Sequence, residues 1–246
     1  MNKIKLIIIL LIITSNISYG QFFKHTSISV GLSTSQILGN NPGKLTMQPS
    51  ATVEPFVFGG GFLGAQPGLE VRVTVPIDEE QRWRIPFGVD YQFFNAKERI
   101  PIGPYIEDHW AHTFTAITPY IGLSYVMQDL NFIKSKTYVS LEFRALSISN
   151  ISSTWEEKYF FFPDLDTLIN NRTKPNAVRL GALARVGVEG KLFDPIKLNA
   201  SVGLSLMNLV GKDDSRRELL TPFKIFEIKE SYVWNLNFSF LFMYEL

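Results

Sequence analysis

The sequence contains no cysteine among its 246 residues. This absence excludes a disulfide-stapled scaffold, a zinc or iron–sulfur site with cysteine ligands, and a thiol nucleophile. It also excludes a lipid anchor on an N-terminal cysteine. The fold must therefore be stabilised without covalent cross-links.

The chain has no large excess of either charge, because 24 lysine and arginine residues balance 23 aspartate and glutamate residues. A nucleic-acid-binding protein normally carries a basic excess, so we expect no nucleic-acid partner. After residue 20, no apolar run approaches the roughly 18 residues that indicate a transmembrane helix. Aromatic residues, by contrast, make up 13% of the chain. That share is high for an ordinary soluble enzyme and needs a structural explanation.

The first twenty residues have the pattern of a secretory signal peptide. Lys3 and Lys5 precede the apolar run Leu6–Ile13, and Ser18-Tyr19-Gly20 places small residues before Gln21. An apolar run this short cannot span a bilayer, which requires about 20 residues. We therefore predict a signal peptide over residues 1–20 and one exported domain over residues 21–246, in the periplasm, the medium or the outer membrane.

The dominant hydrophobic period after residue 20 is two residues, which indicates β-strands. In Trp83–Phe93 the odd-numbered residues are apolar, and in Tyr232–Leu246 the even-numbered residues are aromatic or aliphatic. Six further segments alternate less strictly: Ile28–Leu32, Leu69–Val75, Ile117–Tyr125, Val139–Ala145, Val178–Val188 and Ile196–Leu206. The pattern predicts eight strands.

The lengths of the strands and of their connections favour a membrane barrel over a soluble β-sandwich, the main structural alternative. Several alternating stretches are about twice as long as a typical soluble strand. Short connections at Ile77–Arg82, Gln128–Lys136 and Asp194-Pro195 alternate with long ones near residues 36–66, 95–113, 150–176 and 209–230. Short periplasmic turns and long outer loops are typical of outer-membrane barrels. We predict an all-β fold, an eight-stranded antiparallel up-and-down transmembrane β-barrel.

On these features the chain resembles the small outer-membrane β-barrels of the OmpA/OmpX type. It is most similar to the outer-membrane β-barrel domain family of Bacteroidetes-like bacteria, which includes PorT-like proteins. The final aromatic stretch, Phe238 to Leu246, resembles the signal that the barrel-assembly machinery reads, with Leu246 in place of the usual terminal phenylalanine. The resemblance implies an outer-membrane location, contact with outer-membrane lipid and lipopolysaccharide, and assembly through the last strand.

The predicted inward faces carry charges in the middle of the strands. The candidate lumen network consists of Arg72, Arg84, Asp90, Glu142, Arg144, Arg179, Arg185 and Glu189, with Glu70 and Lys197 also facing inward. Eight strands leave a lumen just wide enough for side chains to fill, and buried charges need partners. The charges therefore form either a salt-bridge plug or, given a slight basic excess, a narrow anion-favouring conduit or ligand site.

Two of the predicted outer loops have features of their own. The third contains an aromatic cluster, Trp155, Tyr159, Phe160, Phe161 and Phe162, which either forms a contact patch or packs internally. The fourth carries equal numbers of acidic and basic residues, so we expect it to be solvated and self-paired. In the first, residues 51–64 leave open the possibility of an extra hairpin.

No motif for catalysis stands out. His109 and His112 lie in the predicted second outer loop beside Asp108, but no G-x-S-x-G motif is present, so we interpret them as solvated loop residues. We expect neither a cofactor nor a metal site. The sequence favours a non-enzymatic envelope protein that acts in envelope structure, adhesion or a membrane-protein complex through its outer loops. The alternatives are a narrow porin-like channel and, less favoured, a lipid or peptide hydrolase or acyltransferase at the rim.

Overall fold

The computed structural model describes residues 25–47, 59–131, 134–222 and 229–246, with the backbone alone for residues 170–172. Within these ranges the chain forms antiparallel strands: β1 (Ser27–Ile37), β2 (Gln66–Pro76), β3 (Trp83–Pro101), β4 (Ile106–Leu130), β5 (Ser135–Tyr159), β6 (Thr167–Thr173), β7 (Ala177–Phe193), β8 (Ile196–Val210) and β9 (Trp234–Glu245). Two 3-10 helices, Pro42–Lys44 and Pro163–Leu165, lie in connections. In the described part of the chain, no helix is long and apolar enough to cross a membrane.

Eight of these strands close into a barrel, as predicted. Consecutive strands pair from β1 to β5, β5 then pairs with β7, and pairing continues through β8 and β9. The ring closes between β9 and β1, where Ser27–Ile37 lies opposite Asn235–Glu245. Each barrel strand thus has a partner on both edges, which removes the exposed edges of an open sheet. β6 lies outside the ring and pairs with β5 above the start of β7.

The two ends of the barrel differ. The connections β2–β3, β4–β5 and β7–β8 are short and lie at the end where β1 begins and β9 finishes. We call this the turn end and the opposite one the loop end. The predicted loop over residues 95–113 is not a loop, because β3 and β4 extend through it as a hairpin whose turn is residues 102–105. β5 likewise continues through the first part of the predicted third loop and pairs with β6 there.

The outward face of the ring is an apolar belt. Its exposed side chains include Phe87 and Val89 on β3, Ile121 on β4, and Phe238 and Phe240 on β9. Trp83 and Trp234 lie at opposite ends of the belt. On β3 and β4 the belt ends at Phe93 and Ile117, beyond which the outward residues are mostly polar. Many of the aromatic residues that make this composition unusual therefore lie on the outside of the barrel.

The inward face changes character along the barrel axis. In the half toward the turn end it is polar and charged, whereas in the half toward the loop end it is an apolar core. On β3 the apolar residues switch from outward to inward between Phe93 and Phe94, and on β4 Phe114 and Ala116 are buried while Ile117 is exposed. Met47 and Phe62 from the first long connection and Leu219 and Leu220 from the last complete this core.

The predicted signal peptide, residues 1–20, and residues 51–58 of the possible hairpin over 51–64 lie outside the described residues. The described remainder of that segment, residues 59–64, is not a strand. Its glycines fold back on the preceding turn, since the Gly59 N–H donates to Thr46 O at 3.0 Å and the Gly60 N–H to Pro42 O at 3.0 Å. A Cβ on Gly60 would lie 2.4 Å from Leu220 O, so the two long connections meet closely here.

Candidate functional site

Six charged side chains meet in the interior of the barrel and are almost fully buried. They are Glu70 and Arg72 on β2, Asp90 on β3, Glu142 and Arg144 on β5, and Arg185 on β7. Neighbouring strands in the ring present these residues to the same level because inward positions recur every second residue. Three carboxylates thus face three guanidinium groups, and the cluster is electrically neutral overall.

The ion pairs of this cluster share partners. Arg72 Nη2 lies 2.6 Å from Glu70 Oε1, and Arg185 Nε lies 2.9 Å from Glu142 Oε1. Arg144 reaches two carboxylates, with Nε 3.3 Å from Glu142 Oε2 and Nη2 3.4 Å from Asp90 Oδ2. Glu70 and Glu142 each lie near more than one cation, and Arg144 joins Glu142 to Asp90, so the charges form one connected network.

Neutral side chains add hydrogen bonds to two carboxylates of the network, Glu70 and Asp90. The Tyr120 hydroxyl donates to Glu70 Oε1 at 2.5 Å, and the Ser239 hydroxyl donates to Glu70 Oε2 at 2.5 Å. Ser33 donates to Asp90 Oδ1 at 2.6 Å, and Arg185 Nη1 donates to Ser239 Oγ at 2.7 Å. Charge counting along the sequence does not identify these neutral partners, although their inward parity is the same as that of the charges.

The other three residues of the candidate lumen network lie in two separate ion pairs, one of which is completed by Glu230. Arg84 binds Glu189 near the turn end. Arg179 binds Glu230 near the loop end, with Nη2 2.7 Å from Oε2, and Glu230 also accepts from Asn208 Nδ2 at 2.8 Å. The structure therefore divides the eight predicted residues among three clusters along the barrel axis.

Little space remains between the central network and the turn end. One cavity of about 10 Å³ touches Arg72, Arg84 and Glu189, and another of about 20 Å³ lies beside Arg84 and Lys197. A cavity of this size holds about one water molecule. Together with the charge pairing, these volumes correspond to the salt-bridge plug rather than to an open conduit.

The last long connection closes the loop end and is not the solvated loop that its balanced charges predict. Lys174 Nζ donates to Glu218 O at 2.5 Å and to Thr221 O at 3.0 Å, and Arg216 Nε donates to Pro175 O at 2.9 Å. Burial, together with the nearby Arg216, lowers the pKa of Lys174 to about 7. These charged residues anchor the segment that inserts Leu219 and Leu220 into the core.

The predicted aromatic contact cluster separates into two parts. Trp155 is packed against the apolar core and stacks on Trp110 with ring centroids 4.5 Å apart, so its assignment to the contact patch is wrong. Phe160, Phe161 and Phe162 are 57%, 67% and 65% exposed. A bulge explains the separation, because residue Asn150 has a φ of 56° and the register of β5 shifts beside it, which turns Trp155 inward.

The exposed phenylalanines belong to a surface built from two hairpin turns. Tyr159 lies opposite Ile106 at the end of β5, the Phe160 N–H donates to Tyr105 O at 3.1 Å, and Phe161 packs edge-on against Tyr105 at 5.6 Å. We call this surface the hairpin tip, defined by its exposed apolar residues Ile102, Tyr105, Phe160, Phe161, Phe162 and Leu165.

The two histidines of the predicted second loop are strand residues. His112 is buried, and its Nδ1 lies 3.1 Å from Gly60 O, so the prediction that it is solvated is wrong. Burial lowers the pKa of His112 to about 4, so it is neutral at physiological pH. His109 is partly buried and lies 2.7 Å from Glu107. Among the described residues, no three histidine or acidic side chains are grouped as a metal site would require.

No family model and no curated protein matches the sequence. Among solved structures, the chain is similar to Neisserial surface protein A, with 11% identity, coverage of 90% of this chain and 97% of that chain, and a TM-score of 0.43. It is also similar to the attachment invasion locus protein of Yersinia pestis in complex with the heparin analogue sucrose octasulfate, with 9% identity, coverage of 90% and 98%, and a TM-score of 0.37. At these scores the similarities carry no argument about function, and the narrower PorT-like resemblance stays a prediction.

Proposed function

We propose that the protein is a non-enzymatic integral outer-membrane β-barrel that acts through a protein contact at its hairpin tip. The proposed membrane location rests on where the polar and apolar side chains lie. Over the belt, this arrangement is the reverse of that in a soluble protein. There the apolar side chains face outward, while Glu70, Arg72 and Arg185 are sealed inside. A belt of this kind is stable when lipid covers it, and the closed ring leaves no backbone edge in the lipid.

The exposed hairpin tip carries the proposed contact function. Three phenylalanines with these exposures present roughly 300–450 Å² of apolar surface, taking about 150–250 Å² for a whole aromatic side chain. That area already equals the largest apolar patch of a typical monomer, before Ile102, Tyr105 and Leu165 are added. Patches of this size usually mark an interaction site.

The tip is too far from the belt for the protein's own membrane to cover it. β4 runs eleven residues from Ile117 to Ile106. At about 3.3 Å per residue and a tilt of about 40°, this places the tip roughly 28 Å beyond the belt. A protein partner therefore fits the tip better than the surrounding lipid does.

A cross-linking experiment in cells tests this function. A photoreactive phenylalanine analogue at Phe161 should give discrete protein adducts on illumination. The matched control is the same analogue at Leu63, which is also exposed but lies on the first long connection. Adducts of equal yield at both positions, or none at Phe161, would contradict a contact at the tip.

The other expected partners remain part of the proposal. We infer that lipopolysaccharide and outer-membrane lipid surround the belt and that the barrel-assembly machinery recognises β9, whose belt face carries Phe238, Phe240 and Phe242. The channel alternative has less support, because the interior charges are paired and the cavities near the turn end are the size of single water molecules. The rim-enzyme alternative is disfavoured because His112 is buried in the core.

A further inference from the structure

The turn between β5 and β6, which carries the exposed phenylalanines of the hairpin tip, is acidic, although the whole chain has a formal net charge of +1. This turn, residues 156–169, contains four carboxylates and one lysine, and all five side chains are at least partly exposed. Lys158 is already engaged, since its Nζ lies 3.2 Å from Glu156 Oε2 and 3.1 Å from Asp166 Oδ2. The negative charge is therefore local to this surface and exceeds what its own cations neutralise.

The acidic side chains surround the apolar patch. Asp164 is exposed between Phe162 and Leu165. Asp166 accepts a hydrogen bond from the Tyr159 N–H at 2.9 Å, which lowers the pKa of Asp166 and keeps it ionised. Glu157 accepts from the Tyr159 hydroxyl at 3.0 Å. An apolar centre within a charged rim is the usual arrangement of a specific protein interface.

The edge of β6 beside the tip is poorly suited to strand addition. β6 is short, and its pairing with β5 is interrupted by a register shift, which leaves Ile169 without an opposite residue. Bulges and short edge strands are devices by which proteins prevent edge-to-edge pairing. A partner would therefore bind the side chains of the tip rather than extend the sheet.

We propose that the hairpin tip binds a positively charged protein surface and not a second copy of this chain. A partner with lysine or arginine residues around an apolar anchor would complement both the carboxylates and Phe160–Phe162. Two copies that met tip to tip would bring together two surfaces with the same negative charge, which is unfavourable. This inference rests on the contact function proposed above and specifies the chemistry of the partner.

The test uses the full protein in nanodiscs of zwitterionic lipid and two model peptides of equal length, one of leucine and lysine and the other of leucine and glutamate. We expect the lysine peptide to bind protein-loaded nanodiscs at least about tenfold more tightly than empty ones, and the glutamate peptide not to bind. Binding should weaken as NaCl rises from about 0.05 M to about 0.5 M, because exposed charges are screened.

Two substitutions separate the charge from the apolar anchor. Asp164→Lys should slow association with the lysine peptide, and Phe161→Ser should speed its dissociation. The matched control is Glu79→Lys, which makes the same charge change on an exposed residue of a turn-end connection and should leave binding unchanged.

The possible failures can be distinguished. If Phe161→Ser weakens binding but Asp164→Lys does not, or if both peptides bind equally, the charge inference is wrong while the contact function stands. If neither substitution changes the binding of the lysine peptide, both the charge inference and the contact function are wrong. Sedimentation velocity gives the remaining outcome, because a dimer that dissociates on Phe161→Ser would identify a second copy as the partner and overturn the inference.

Discussion

Replacing Arg185 by methionine should destabilise the barrel strongly. The Arg185 side chain is fully buried, lies 2.9 Å from Glu142 Oε1 and 3.5 Å from Glu70 Oε2, and donates to Ser239 and Ser201. Removing it leaves three carboxylates and two guanidinium groups in a dry interior. The loss of one partner from a buried pair costs about 3–5 kcal/mol, so we expect that decrease in the free energy of unfolding.

The matched control is Arg82→Met on the turn-end connection. Arg82 contacts the carboxylate of Glu80 at 3.3 Å, but there both side chains are exposed to solvent. Exposed ion pairs contribute about 0–1 kcal/mol, so this change should have little effect. Adding Glu142→Gln to Arg185→Met should recover part of the loss, because the double variant restores neutrality in the interior.

Unfolding in urea from lipid vesicles, followed by tryptophan fluorescence and by the gel shift between folded and boiled protein, measures these differences. Added salt should not change the cost of Arg185→Met, since buried charges are screened weakly. If Arg185→Met costs less than about 1 kcal/mol, or no more than Arg82→Met, the interior charges must be hydrated. The description of the lumen as a packed plug would then be wrong.

Three further outcomes follow from the structure and one from the sequence. Planar-bilayer recordings of the purified barrel should show no discrete conductance, and steady channel openings would refute the plug. In vesicles, Ile121→Arg in the belt should lower the free energy of unfolding by about 2–4 kcal/mol. Thr113→Arg, which faces outward on the same strand but beyond the belt, should lower it by almost nothing. Equal losses would show that the belt does not end where we place it. Folding lowers the pKa of Lys174 from its ordinary value of 10.5 to about 7. Between these two pH values the unfolded chain therefore binds more protons than the folded protein. The free energy of unfolding should rise with pH across that window, by at most about 1.4 kcal/mol per pH unit. Lys174→Met should remove this rise, and an unchanged slope would exclude Lys174 as its source. Mass spectrometry of protein from the outer-membrane fraction should find Gln21 as the first residue, and an intact N-terminus would contradict the predicted cleavage.

The barrel was predictable because its signal is repetitive. The alternation in Trp83–Phe93 and Tyr232–Leu246 recurs in six more segments, and the two faces of a strand must be sorted between outside and inside. The same alternation predicts which charged residues face inward. Their partners were less predictable, because ion pairs such as Arg185–Glu142 join strands whose relative register a sequence does not state.

The errors at the loop end have physical causes. The segment 95–113 is predicted as a loop because its outward face is no longer apolar, yet apolar residues within and beside it continue on the inward face as Phe94, Ala96, Trp110 and Phe114. The alternation of apolar and polar residues therefore continues through this segment, but the apolar residues move from odd to even positions. This shift was the missed signal. Trp155 was misassigned for a different reason: the bulge beside Asn150 reverses the parity of β5, and no local residue pattern predicts it reliably.

The phase change also explains why one barrel has two different interiors. In the proposed function, lipid surrounds the wall within the belt, so apolar side chains gain little by turning inward, and a paired charge network distinguishes the inside from the outside. Beyond Phe93 and Ile117 we infer that the wall meets water, and burying Phe94 and Phe114 inside becomes favourable in the ordinary hydrophobic sense. The long connections that supply Phe62 and Leu220 complete that second core. On this argument the exposed phenylalanines of the hairpin tip are the exception, since they lie in the water-exposed half and yet face outward, and this is the reason to look for a partner there.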